Sequence, residues 1–72
     1  MATITQKEKE LIKGILLYHP EYTNQEIHGM INKSRGGIKN FINQGRISDV
    51  KKDGTIVAMD KEEVEQFIRK YS

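Results

Sequence analysis

Between residues 33 and 52 the chain sets six cations, Lys33, Arg35, Lys39, Arg46, Lys51 and Lys52, against one acid, Asp49. That local charge of +5 sits in a chain whose formal charge is only +2. Residues 1–22 balance to zero and residues 55–72 sum to −1. A positive centre between near-neutral ends is the electrostatic footprint of a nucleic-acid contact. The residue types suit that task. The planar forks of Arg35 and Arg46 match guanine O6 and N7, or a phosphate. The amides of Asn40 and Gln44 can pair with an adenine edge. Lys33, Lys39, Lys51 and Lys52 are point charges suited to anchoring phosphates. Ser34 and Ser48 are short hydroxyl donors within the same stretch and complete the candidate set. Gly36 and Gly37 can let backbone amides approach a phosphate closely, or can simply make a turn.

Other chemistries find little support. His19 and His28 are the only histidines and there is no cysteine, so no metal site, cofactor or disulfide is expected. No serine and histidine arrangement suggests a nucleophile, and no enzymatic activity is expected. The acids at 60, 62, 63 and 65 read as a helix cap and its solvated face. Tyr18, Tyr22 and Tyr71 do not interleave with the basic stretch, which disfavours a stacking platform for single strands. At 72 residues the chain offers one small domain and no room for a large pocket. No apolar run approaches a membrane span, and Met1 to Thr5 does not read as a secretion signal. A cytoplasmic protein is expected.

The elements that must position these residues announce themselves by their caps. Thr5-Gln6-Lys7-Glu8 fits a capping box, and Leu11, Ile12, Ile15 and Leu16 follow at helical spacing. Gly14 weakens that helix by roughly 1 kcal/mol relative to alanine. Pro20 ends it near Tyr18. Thr23-Asn24-Gln25-Glu26 repeats the box, with Tyr22 and Ile27 as a hydrophobic staple and Asn32 as the expected stop. Asp60-Lys61-Glu62-Glu63 is a third box, stapled by Met59 and Val64. Val64, Phe67, Ile68 and Tyr71 then recur at helical spacing. Residues 33–59 admit two arrangements. In one, Ser34 caps a helix ending near Gly45, and Asp53-Gly54 turns a β-hairpin over 46–59. In the other, a glycine-rich turn leads to a helix over 43–52 that uses Ile47 and Val50. The first is the preferred expectation.

Two resemblances bear on these residues. Thr23 to Ile42, TNQEIHGMINKSRGGIKNFI, resembles the helix-turn-helix of LuxR-type regulators, with His28 where alanine is usual and Asn32 where glycine commonly turns. Residues 34–71 are similar to winged, MerR-like excisionase domains through Ser34, Arg35, Ile38, Ile42, Gly45, Arg46, Ile47, Gly54, Val64 and Phe67. Ser48 replaces the proline usual there, and the aromatic common in the second wing strand is missing. Residues 43–50, NQGRISDV, also look like the recognition helix of small phage and bacterial regulators.

The combined expectation is a mainly α, helix-turn-helix domain over 1–72 with about four helices and a short β-hairpin wing. Its parts are an N-terminal helix over 5–18, the helix-turn-helix over 23–44, the wing over 46–59 and a C-terminal helix over 60–71. The resemblances imply sequence-specific binding of double-stranded DNA by a transcription regulator or recombination directionality factor of a phage or mobile element. One such head covers few base pairs, so a homodimer or a cooperative array is expected, with the last helix as its self-association element. The alternative is a protein-binding module that occupies a host factor.

Overall fold

A computed structural model describes residues 3–37 and 41–71. Four helices run in order: α1 (Gln6–Tyr18), α2 (Asn24–Arg35), α3 (Gly45–Lys52) and α4 (Lys61–Tyr71). The first two begin at closed capping boxes. Thr5 Oγ1 accepts from the Glu8 amide at 3.1 Å, and the Glu8 carboxylate accepts from the Thr5 amide at 2.9 Å. Thr23 and Glu26 repeat the exchange at 3.2 and 2.9 Å. Each box satisfies two backbone donors that a helix start would otherwise leave unpaired. α1 stops at Tyr18, before the His19-Pro20 bend, and the His19 amide closes it on the Ile15 carbonyl at 2.8 Å.

α2 outruns Asn32 and ends at Arg35, where Gly36 adopts a left-handed φ of 76°. That conformation suits glycine and closes the helix. Asn32 does not turn the chain because its side chain is buried and holds the next segment. Its Oδ1 accepts from the Ile42 amide at 2.8 Å, and His28 Nε2 lies 2.8 Å from the Ile42 carbonyl. The Ile42 side chain is buried in the core. Two polar side chains of one helix thus fix the backbone at Ile42, just ahead of α3.

The expected wing is absent: no strand occurs among the described residues. The expected helix over 34–44 also fails, since α2 ends at Arg35 and residues 41–43 are irregular. The arrangement with a helix at 43–52 is the one that forms, shortened to Gly45–Lys52. Ile47 and Val50, three residues apart, bury together only on a helix. A two-residue hairpin at Asp53-Gly54 would need positive φ, and among the described residues only Gly36 has it. Instead the Asp53 carboxylate accepts from the Thr55 amide at 2.9 Å and hydroxyl at 2.6 Å. The chain then crosses α1, where the Met59 amide donates to the Glu10 carbonyl at 3.0 Å.

The core is rich in isoleucine. Ile12, Ile15, Ile27, Ile31, Ile47 and Val64 are fully buried, one or two from each helix. Both α3 and α4 pack on α1 and on α2, and no Cα atom of one comes within 8 Å of the other. Gly14 lies where α4 crosses α1: a Cβ there would stand 2.5 Å from Val64 Cγ2 and 3.3 Å from the Met59 carbonyl oxygen. No helix among the described residues is long and apolar enough to cross a membrane.

Candidate nucleic-acid interface

α3 buries only Ile47 and Val50, so most of its surface faces water. Gln44 precedes it with right-handed helical geometry and makes no side-chain cap. At about 100° per residue, Gln44, Ser48, Lys51 and Lys52 share one sector of this helix. Gln44, Lys51 and Lys52 are exposed and Ser48 is half-buried. The Ser48 hydroxyl accepts from Asn24 Nδ2 at 3.4 Å, which joins this sector to the first turn of α2. Asn24 therefore borders the same surface. Its place inside the helix-turn-helix resemblance is the one signal of it in the sequence. The far end of α3 is held by α1: Lys13 Nζ donates to the Lys51 carbonyl at 3.1 Å. Lys13, Lys51 and Lys52 thus gather where the helix dipole is negative, an arrangement that favours cations. The Asp53 carboxylate beside them is held below its ordinary range, first by the Thr55 hydroxyl and then by the Thr55 amide.

The other candidate residues go elsewhere. Arg46 lies on the opposite flank of α3. It is half-exposed, 3.9 Å from Asp49, and lines a shallow depression of about 250 Å³ with Lys9, Asp49 and Asp53. Arg35 is taken into the fold. Its Nε donates to Glu8 Oε2 at 2.9 Å, Nη2 donates to Glu8 Oε1, and Nη2 also reaches the Thr3 carbonyl at 3.0 Å. Both side chains are largely buried, at 12% and 15% exposure. The fork that suits a guanine is filled by a carboxylate from α1. Ser34 does not begin a helix; its hydroxyl donates to the Ile31 carbonyl at 2.6 Å inside α2. Lys33 lines a different depression, with Tyr22, Gly29, Met30 and Tyr71 and with no residue of α3. Lys39 and Asn40 lie outside the described residues. Of the ten candidates, Gln44, Ser48, Lys51 and Lys52 are brought together.

Comparison with known protein families, curated proteins and solved structures gives no match to this chain.

Proposed function

We propose that this protein binds double-stranded DNA, with α3 as the reading helix and the first turn of α2 against the backbone. The observation that carries this reading is the joined surface of Gln44, Ser48, Lys51 and Lys52 with Asn24. It supplies amide and hydroxyl groups suited to base edges beside two ammonium groups suited to phosphates. A helix-turn-helix uses its elements in this way: the second helix enters the major groove and the first crosses the backbone. Arg46, on the other flank, is in reach of a phosphate across the groove. The biological role that accords with the resemblance is transcription regulation or the direction of recombination by a phage or mobile element.

The test is duplex binding followed by fluorescence anisotropy across a salt series, with targets selected from random duplexes. Affinity should fall steeply with salt, with a log–log slope of about −0.9 per phosphate contacted. The K51Q/K52Q variant should lose about two such contacts, leaving a slope shallower by roughly 2. A chain that binds no duplex at low salt would sink the proposal. A second reading, a module that docks on a host protein, is favoured by the exposure of Leu17 (62%) and Val57 (73%). Stoichiometric co-purification with a host protein, together with no duplex binding, would support it.

A further inference from the structure

The outer surface of α4 combines a partly buried aromatic pair with charges of opposite sign at its two ends. Val64 and Ile68 are the buried residues of this helix. Beside them, at about 100° per residue, Glu63, Gln66, Phe67 and Lys70 form one continuous stripe. Phe67 is only partly buried and packs its ring 4.8 Å from that of Tyr71. It borders a groove of about 220 Å³ whose α1 side is Lys7 and Leu11. Glu63, Gln66 and Lys70 are exposed along its edge. Lys70 Nζ lies 5.4 Å from the centre of the Tyr71 ring, which holds the ammonium beside the aromatic pair. Charge along α4 is graded, with Glu62 and Glu63 in its first turn and Arg69 and Lys70 in its last.

We propose that this stripe is a two-fold interface on which α4 of a second copy lies antiparallel. Residues 63 and 70 are symmetric about the midpoint between Gln66 and Phe67. A two-fold axis at that midpoint sets Glu63 of each copy against Lys70 of the other and brings the two Phe67 rings together at the centre. The same residues then serve both sides, as an isologous contact requires. The antiparallel direction also sets the acidic first turn of one helix against the basic last turn of the other, with opposed dipoles. A parallel pairing would juxtapose like charges instead. The inference stands on α4 alone and does not depend on DNA binding.

Sedimentation equilibrium of the full chain, from about 10 μM to about 1 mM, tests it. The wild type should show a monomer–dimer equilibrium that weakens with salt. E63K and K70E should each weaken the dimer at least about tenfold, since each reversal acts twice in a symmetric contact. Mixed together, the two variants should associate with each other, because one copy then carries ammonium groups at both positions and the other carries carboxylates at both. The double variant E63K/K70E should dimerise like the wild type. Both substitutions are at exposed positions, and circular dichroism checks that each variant is folded. A wild type that stays monomeric throughout the range would overturn the proposal. So would single variants that dimerise normally, or a mixture of the two that does not associate.

Discussion

At the scale of single residues, Arg35 shows how strongly a partner redefines a side chain. Its fork grips Glu8, and Glu8 also accepts from the Thr5 amide and hydroxyl. One carboxylate therefore closes the cap of α1 and ties α2 to it. Removing the guanidinium leaves a largely buried carboxylate without its counter-charge, and that loss exceeds what an exposed ion pair contributes. Arg35→Leu should lower the unfolding free energy by roughly 2–3 kcal/mol, short of the roughly 3–5 kcal/mol of a wholly buried pair. Urea denaturation measures this. In the folded variant, duplex affinity should change by less than about twofold, whereas a base-reading arginine would lose roughly 1–3 kcal/mol of binding. An undiminished stability with a large loss of affinity would return Arg35 to the DNA surface.

At the scale of elements, the glycines within α1 and α2 have opposite meanings. Gly14 is where α4 and the Met59 segment press onto α1, and a methyl group there would overlap Val64. Gly29 lies exposed within α2 with nothing within 4 Å of the site of a Cβ. Gly14→Ala should therefore destabilise by roughly 1–3 kcal/mol through overpacking. Gly29→Ala should stabilise by roughly 0.5–1 kcal/mol, because alanine limits the unfolded chain and favours helix. Thermal unfolding of both variants checks the pair, and equal effects would contradict the packing described here. The sequence alone assigns Gly14 only its propensity cost, because Val64 is 50 residues away. The same distinction governs the rest of the fold. The caps at Thr5 and Thr23 were legible, since each involves residues three apart. The end of α1 was legible too, because Pro20 acts on its immediate neighbour. α3 was harder to read: it spans eight residues with two buried positions, and Asp53-Gly54 carries a hairpin signal that the Asp53–Thr55 bonds override. For the candidate interface, charge located the region. Only packing could separate Lys51 and Lys52, which stay exposed, from Arg35, whose partner is 27 residues distant.

At the scale of the whole molecule, the core holds twelve buried apolar side chains among the described residues, and a sequence without cysteine has no disulfide to reinforce them. Small domains of this kind have little stability to spare, so long-range polar ties matter. His19 makes one of them. Standing at the end of α1, its Nε2 lies 2.5 Å from Glu65 Oε1 of α4, and its Nδ1 lies 3.3 Å from Glu21 Oε2. Both bonds are donated together only by the imidazolium, since a neutral ring has one N–H. The Glu65 carboxylate is the main cause that raises the His19 pKa above its ordinary 6.5. Glu21 adds to the rise, and desolvation offsets part of it. A raised folded-state value means that the folded protein holds this proton more tightly than the unfolded chain. The stabilisation is therefore complete below 6.5 and is lost as pH rises through the raised value. Urea unfolding of the wild type and His19→Gln, at about pH 5.5 and about pH 8.5, isolates the contribution. The stability difference between the two proteins should be larger at the lower pH and shrink at the higher. Glu65→Gln should flatten most of that dependence, because it removes the principal counter-charge while leaving Glu21 in place. A difference that stays constant across the two pH values would mean that His19 acts by packing against Tyr22, its ring neighbour at 5.7 Å, and not by charge.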